Sequence, residues 1–126
     1  VVSIVLDNFR GMPSIAHSSA ARAAVMNLAR TLAVEWAPHR IRINCVAPGA
    51  IESSGFAQYP AEQLNQFYNA NPMRALGDVY DVAEACAYLA SPAAKFVTGE
   101  TLVVDGGGQL WGETWLTQRP EHFNPF

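Results

Sequence analysis

Three segments of the chain carry the pattern of strands. Residues 1–6 form an apolar, β-branched run, which is typical of a strand buried on both faces of a parallel sheet. Residues 41–46 alternate apolar with polar side chains, and Arg42 and Asn44 occupy the polar positions. Residues 101–105 form a third short apolar run after a glycine. The pattern therefore predicts three strands.

Helical periodicity lies between these strands. Apolar residues recur at helical spacing over about residues 18–36, and Pro38 ends that helix. Asp78 is the predicted N-cap of a second helix over residues 79–90, and a shorter helix is predicted over residues 60–70. The first helix is predicted to bury one face, made of Ala21, Val25, Leu28, Ala29, Leu32 and Trp36.

The order of these elements predicts half of a doubly wound α/β fold with a parallel sheet. We expect residues 1–110 to belong to one domain, with a lid over about residues 53–76 and a C-terminal tail over residues 111–126. Three strands are few for this architecture, and the chain begins in mid-strand without methionine. We therefore expect an upstream half that this sequence does not include.

The amino-acid composition limits the kinds of molecule that the chain is expected to bind. Half of the 126 residues are hydrophobic and 15% are charged, as in a globular protein, and the formal charge is −3. The chain has no basic run that would bind nucleic acid and no apolar stretch near 20 residues that would insert into a membrane. Two cysteines and three scattered histidines indicate a reducing compartment and no metal site. A cytoplasmic location is expected, or a peroxisomal one in a eukaryote.

The ends of the predicted strands locate a candidate site, because ligands of open α/β sheets bind beyond the carboxyl ends of the strands. Pro48 and Gly49 allow the backbone to turn close to a ligand, and His17 lies at the same rim. The glycine run at residues 106–108 follows a strand, but no helical period follows it. It therefore predicts a turn and not a phosphate-binding loop.

Several motifs together resemble one family. Arg-Ile-Arg-Ile-Asn-Cys-Val-Ala-Pro-Gly at residues 40–49, Ser-Pro at 91–92, Thr-Gly at 98–99 and Val-Val-Asp-Gly-Gly at 103–107 resemble the C-terminal half of the short-chain dehydrogenases/reductases. The resemblance runs from residue 1 to about Leu110. It implies a Rossmann-type sheet that binds NAD or NADP, with the phosphate loop upstream. It also places Pro48, Gly49, Ile51 and Ser53 along the nicotinamide and pyrophosphate.

The resemblance fails at the usual catalytic groups. The family pattern Tyr-x-x-x-Lys precedes Ala-Ala-Val, and that register puts Ser18 at the tyrosine position and Arg22 at the lysine position. The family's upstream serine would fall within residues 6–10, which contain none. Arginine supplies charge and a hydrogen-bonding fork but does not pass on a proton, and serine is a far weaker acid than tyrosine.

The variant stretch at residues 17–23 resembles a branch with peroxisomal trans-2-enoyl-CoA reductases and bacterial citronellol dehydrogenases. It implies reduction of the C=C bond of a trans-2-enoyl-CoA, since an enolate can be held by hydrogen-bond donors without a tyrosine. In this interpretation Arg22 anchors the nicotinamide ribose, and Ser18 and His17 contact the substrate oxygen. The lid covers an apolar acyl chain with Phe56, Tyr59, Phe67 and Tyr68.

Two other functions remain open at this point. One is a dehydrogenase of terpenoid alcohols such as citronellol. The other is a non-catalytic subunit that keeps the fold without the Tyr-x-x-x-Lys pair. In either case the helix at residues 18–36 has a wider apolar and small-residue surface than one sheet face needs, and the family packs this helix between subunits. A homodimer or homotetramer is therefore expected.

Overall fold

The structure, a computed structural model, describes residues 1–110 and 115–125, apart from the side chains at 61 and 62. Residues 111–114 and 126 of the predicted tail lie outside the described residues. The strands and helices, in chain order, are β1 (Val2–Ile4), α1 (Ala16–Trp36), β2 (Asn44–Pro48), β3 (Ile51–Glu52), α2 (Ala61–Asn69), β4 (Gly77–Asp78), α3 (Val79–Ala90) and β5 (Thr101–Val104).

The main sheet is parallel and has the strand order β1-β2-β5. Val2 pairs with Asn44 across the first interface, and Cys45 pairs with Thr101 across the second. The short strands β3 and β4 form a separate parallel pair. The structure confirms the three strands of the main sheet and the α/β class that the sequence predicts.

Helices α1 and α3 cover opposite faces of this sheet. Met26, Ala29 and Ala33 of α1 pack with Cys45 and Ala47 in one buried cluster. On the other face, Leu89 of α3 packs with Val46 and Ala94. Successive residues of β2 therefore point into two different cores, as expected for a doubly wound sheet.

The predicted buried face of α1 is wrong in part. Ala29, Leu32 and Trp36 contact the core, but Val25 is 37% exposed and Leu28 is 54% exposed. The helix buries Met26 and Ala33 instead. Because α1 is apolar on more than one side, its periodicity alone does not select the side that meets the sheet.

The predicted polar face of β2 is also wrong. The strand starts at Asn44, not at residue 41, and Asn44 is completely buried. Its Nδ2 donates to the carbonyl of Val97 (2.9 Å), and its Oδ1 accepts from the amide of Glu100 (3.0 Å). Arg42 is half-buried, and its guanidinium donates to the carbonyl of Leu89 (2.7 Å) at the end of α3. Both polar side chains therefore tie β2 to the segment after α3.

The outer strand β1 is less buried than its composition predicts. Val5 is buried, but Val1 is 63% exposed and Ile4 is 61% exposed. Among the described residues, β1 pairs on one side only, with β2. Because no strand lies on the other side of β1 among these residues, its apolar side chains have fewer neighbours that could bury them.

The predicted helix ends agree with the structure in most places. The Asp78 carboxylate accepts from the amides of Tyr80 (2.7 Å) and Asp81 (3.1 Å), and the Asp81 side chain accepts from the Asp78 amide. This capping box starts α3. Pro60 is the N-cap of α2, one residue before its first turn.

The described part of the tail lies against the end of the lid. Trp115 packs on Phe123 with 4.6 Å between ring centroids, and His122 Nε2 donates to the carbonyl of Pro72 (2.8 Å). The backbone carbonyl of Phe123 accepts from Arg74. The lid and the tail therefore contact each other beyond the sheet.

Replacement of the buried asparagine tests this account of β2. Asn44→Ala removes the side-chain partner of the Glu100 amide and leaves the Val97 carbonyl with only its longer hydrogen bond from Arg42 (3.3 Å). We expect a loss of about 2–4 kcal/mol in the free energy of unfolding of the full-length protein. Asn65→Ala, at an exposed position of α2, is the control and should change it by less than about 0.5 kcal/mol. Equal effects of both variants in urea titrations would contradict the structural role of Asn44.

Candidate functional site

A cleft of about 810 Å³ opens at the carboxyl ends of β1 and β2, between α1, α3 and the lid. Its position is the one expected for a ligand site of an open parallel sheet. The structure brings most of the predicted site residues to this cleft. They are Ser18, Arg22, Pro48, Gly49, Ile51, Ser53, Phe56, Tyr59 and Phe67.

Ser18 and Arg22 form a hydrogen-bonded pair in the wall of the cleft. One turn of α1 separates them, and Arg22 Nη1 donates to Ser18 Oγ (2.6 Å) and to the Ser18 carbonyl (3.3 Å). The guanidinium occupies a lone pair of the hydroxyl, so the Ser18 O–H is free to donate to a ligand oxygen. The pair can therefore stabilise negative charge on an oxygen, but it offers no group that readily gives up a proton.

Two predicted site residues are not brought to the cleft. His17 is exposed and is not among its lining residues, because successive helical residues point about 100° apart and Ser18 faces the cleft. The same geometry applies to Tyr68, which follows the lining residue Phe67 on α2. The structure therefore supports neither side chain in the predicted substrate contact.

The turn after β2 forms the floor of the cleft. The Gly49 amide donates to the carbonyl of Val104 (2.9 Å), so this turn stays bound to β5. A Cβ added to Gly49 would lie 2.7 Å from Cβ of Asp105 and 2.8 Å from its Cα. The position therefore requires glycine because the end of β5 passes directly over it.

The lid is anchored by a strand pair that the sequence did not predict. Ile51 pairs with Gly77, and the Gly77 amide donates to the carbonyl of Ala50 (3.0 Å). Two-residue strands carry too little periodic signal to be recognised in a sequence. This pairing closes the two ends of the lid onto the floor of the cleft.

Three aromatic rings of the lid form one cluster. Phe56, Tyr59 and Phe67 pack pairwise, with ring centroids 5.0 to 5.9 Å apart. All three rings line the cleft. The cluster gives this segment an apolar surface toward the cleft.

A second cavity of about 500 Å³ adjoins the cleft and shares with it Leu6, Met12, Phe67 and the turn at residues 48–50. Its polar walls include Asp7, Arg10 and Asp105. The Asp105 carboxylate accepts from the amides of Gly107 (2.8 Å) and Gln109 (2.7 Å).

The carboxyl groups of Asp7 and Asp105 are hydrogen-bonded to each other. Burial raises the pKa of Asp7, and the hydrogen bond and charge of Asp105 raise it further. The Phe9 amide and Arg10 oppose this shift and lower the pKa. Sequence reasoning missed this carboxyl pair, although each aspartate directly follows a predicted or observed strand.

The glycine run after β5 forms a turn, as predicted. Gly106 and Gly107 have φ values of 63° and 83°, which favour glycine. A 3₁₀ turn over Gly108–Leu110 follows. No α-helix begins there within the part of the chain that the structure describes, so the run does not lead into a helix N-terminus.

Residues 1–110 and 115–125 contain no group of three or more His, Cys, Asp or Glu side chains that could hold a metal ion. No helix in those ranges combines the length and the apolar character needed to cross a membrane.

Comparison with known families agrees with this geometry. A family described as enoyl-(acyl carrier protein) reductase matches residues 2–109, which is most of the chain. The chain belongs to the short-chain dehydrogenase/reductase family. The family resemblance of the sequence motifs is therefore confirmed.

Among curated members of the short-chain dehydrogenase/reductase family, the chain is similar to peroxisomal 2,4-dienoyl-CoA reductases. It is 43% identical over 106 residues to that of Saccharomyces cerevisiae, covering 82% of this chain and 36% of the yeast protein. It is 41% identical over 115 residues to that of Mus musculus, covering 87% of this chain and 37% of the mouse protein. The chain thus spans little more than a third of these relatives.

Solved structures of the same family share the fold. A short-chain dehydrogenase/reductase from Mycobacterium ulcerans superposes with a TM-score of 0.82 at 30% identity, over 86% of this chain and 41% of that one. A mutant 4-hydroxyisoleucine dehydrogenase complexed with NADH and succinate also gives 0.82, at 26% identity, over 87% and 46% of the two chains. The chain therefore matches less than half of each of these structures.

The raised pKa of Asp7 predicts how stability varies with pH. The folded state holds the Asp7 proton more tightly than the unfolded state, so Asp7 costs stability as pH rises above its ordinary range near 4. Asp7→Asn removes that cost, and its amide can donate to Asp105. The melting temperature of the full-length variant should exceed the wild-type value at pH 8, and this advantage should vanish near pH 4.

Glu84→Gln is the matched control, since Glu84 is an exposed carboxylate on α3. Its melting temperature should follow the wild-type value at both pH values. A destabilised Asp7→Asn protein at pH 8 would show that the carboxyl pair is not strained by charge.

Proposed function

We propose that the full-length protein is an NAD- or NADP-dependent oxidoreductase that reduces a conjugated C=C bond of a fatty acyl-CoA. The observation that carries this proposal is the Ser18–Arg22 pair. It occupies the cleft where the family resemblance places tyrosine and lysine. Reduction of a carbonyl group needs a proton at the oxygen, whereas reduction of a conjugated C=C bond needs an oxygen that is held as an enolate.

The residues of the cleft fit the nicotinamide half of the cofactor. Arg22 offers a charged fork for ribose hydroxyl groups, and Ser53 and the backbone at Ile51 offer polar groups for a carboxamide. A bound nicotinamide nucleotide supplies the hydride for the reduction. Structural neighbours support this cofactor class, since one is a 4-hydroxyisoleucine dehydrogenase complexed with NADH and another is an NADPH-dependent reductase.

The relatives define the bond that we assign. They are 2,4-dienoyl-CoA reductases that produce (3E)-enoyl-CoA. That change of double-bond position requires new hydrogens at C2 and C5 of the acyl chain. We propose the same substrate class here, with trans-2-enoyl-CoA as the simpler member, because the thioester oxygen gains negative charge in both. The Ser18 hydroxyl and the Arg22 guanidinium stabilise that charge.

The lid supports an apolar substrate. Its three clustered rings would cover the acyl chain and exclude water from the reacting carbons. The same surface would accept a terpenoid such as citronellol. However, oxidation of an alcohol requires a base at the hydroxyl, and the Ser18–Arg22 pair does not supply one.

We propose a homodimer or homotetramer in which α1 lies between subunits. Val25 and Leu28 are exposed apolar residues on the side of α1 away from the sheet. A second copy of the chain would cover them. The peroxisomal relatives support a peroxisomal location in a eukaryote, and a cytoplasmic location is proposed otherwise.

Charge on this face of α1 should disrupt assembly. Leu28→Glu should convert the full-length oligomer to a monomer in light scattering at tens of micromolar. Val34→Glu places the same charge on a residue of α1 that is 76% exposed, and it shows whether the effect is specific to the Leu28 position. A monomeric wild-type protein would contradict the proposed assembly.

Activity with acyl-CoA substrates tests the proposed function. The full-length protein should oxidise NADPH or NADH when a 2,4-dienoyl-CoA or a trans-2-enoyl-CoA is added. Arg22→Ala should lower kcat/KM by about ten- to a hundredfold, because a hydrogen bond to a charged group contributes about 1.5–3 kcal/mol. Ser18→Ala should lower it less.

Arg30→Ala is the matched control on the same helix, outside the cleft, and should leave kcat/KM unchanged. A larger effect of Ser18→Ala would assign the main charge stabilisation to the hydroxyl. A wild-type protein that is inert on acyl-CoA and on citronellol, but that reduces a carbonyl once Ser18→Tyr and Arg22→Lys are introduced, would support a non-catalytic relative of a former dehydrogenase.

A further inference from the structure

The position of the carboxyl pair follows from the strand order. Asp7 follows β1 and Asp105 follows β5, and β2 lies between these strands. Two strand spacings put the outer strands about 9.5 Å apart. The side chains can nevertheless meet, because Gly49 at the end of β2 has no side chain to separate them. The Asp7 amide donates to the carbonyl of Pro48 (3.2 Å), which fixes Asp7 beside that gap.

Elementary electrostatics assigns the proton within the pair. Two interacting carboxyl groups do not both ionise as readily as one alone, so Asp7 holds its proton more tightly than an isolated aspartate does. The Asp105 carboxylate already accepts hydrogen bonds from two backbone amides, those of Gly107 and Gln109. The proton therefore resides mainly on Asp7, whose O–H is shared with Asp105.

An independent feature of the same cavity indicates that it receives a polar ligand. Asn71 lines the cavity and is only 3% exposed. Its Nδ2 donates to the carbonyl of Ala75 (2.8 Å), but its Oδ1 has no hydrogen-bond partner. A buried acceptor without a donor is costly unless a ligand or an ordered water supplies one.

The pair is close to the cleft in which we place the reacting bond. The two cavities share the Pro48–Gly49 turn, Leu6 and Phe67, so a chain covered by the lid can reach both. Ser18 and Arg22 line only the first cavity, and Asp7 and Asp105 line only the second. The Ser18–Arg22 pair, which we propose to hold the thioester oxygen, and the carboxyl pair that carries a proton therefore lie on either side of the turn after β2.

We propose that Asp7 is the proton donor of the reduction and that Asp105 is its positioning residue. This role rests on the proposed function. A bound nicotinamide nucleotide would supply the hydride to the distal carbon of the conjugated system, and the substrate would then be an enolate. The electron pair of the enolate then forms a C–H bond at the α-carbon with the Asp7 proton. The electrons of the broken O–H bond stay on Asp7, and water restores the proton after product release.

The charged neighbours of the pair are few. Arg10, on the same loop as Asp7, is the other charged residue among the described residues that line this cavity. The turn after β2 and helix α2 contribute no titratable side chain to its wall. Burial and then Asp105 raise the pKa of Asp7, whereas the Phe9 amide and Arg10 lower it.

Steady-state kinetics of the full-length protein against pH test this role. With a 2,4-dienoyl-CoA or trans-2-enoyl-CoA, wild-type kcat should fall at alkaline pH as Asp7 loses its proton. Asp7→Asn should lower kcat by at least about a hundredfold and abolish that fall, with little change in KM. Asp105→Asn should keep measurable kcat but shift the fall to lower pH, because Asp7 then loses the partner that retains its proton. Glu84→Gln should match the wild type.

Carbon-13 NMR of the aspartate carboxyl groups gives a readout apart from activity. In the wild type, Asp7 should titrate above the ordinary aspartate range, and in Asp105→Asn it should return toward that range. An active wild type whose kcat and pH profile survive Asp7→Asn would overturn the donor role and leave the proposed function intact. A wild type inert on every acyl-CoA would overturn the proposed function and the donor role with it. Ordinary titration of both aspartates would overturn the shared proton.

Discussion

The central strand β2 determines the rest of the structure. It pairs in parallel with β1 on one side and β5 on the other, and its residues are buried against α1 and α3. Parallel pairing brings the carboxyl ends of all three strands to one edge. Since Gly49 ends β2 without a side chain, the loops after β1 and β5 meet over it. The cleft and its neighbouring cavity are consequences of that arrangement.

Two separate sets of polar side chains lie at this edge of the sheet. Helix α1 presents Ser18 and Arg22 as fixed hydrogen-bond donors, whereas the loops after the outer strands present Asp7 and Asp105 as a carboxyl pair. Charge stabilisation and proton supply are therefore proposed for separate groups. In a site that has the tyrosine-lysine pair, the tyrosine hydroxyl can both stabilise the negative charge and supply the proton. In this proposal, the separation lets the family fold catalyse the reduction without the tyrosine.

Much of this arrangement could be predicted from the sequence. The positions of the three main strands and of the main helices along the chain follow from periodicity and caps, and the cleft follows from the parallel topology. The buried side of α1 could not be predicted, because Val25 and Met26 are equally apolar. The burial of Asn44 depends on partners more than 50 residues away, and the proximity of Asp7 to Asp105 depends on the glycine that follows the strand between them. Those features arise from tertiary contacts that local patterns do not contain.

Isotope transfer tests the central claim, reduction of a conjugated C=C bond, most directly. The full-length protein would be incubated with NADPH deuterated at the transferred position and a 2,4-dienoyl-CoA, and the product carbons would be examined by NMR and mass spectrometry. Our account predicts deuterium at C5 of the acyl chain and a solvent-derived hydrogen at C2. With a trans-2-enoyl-CoA it predicts deuterium at C3. Deuterium transferred only to the carbinol carbon of a keto substrate, with none in either unsaturated chain, would contradict the account.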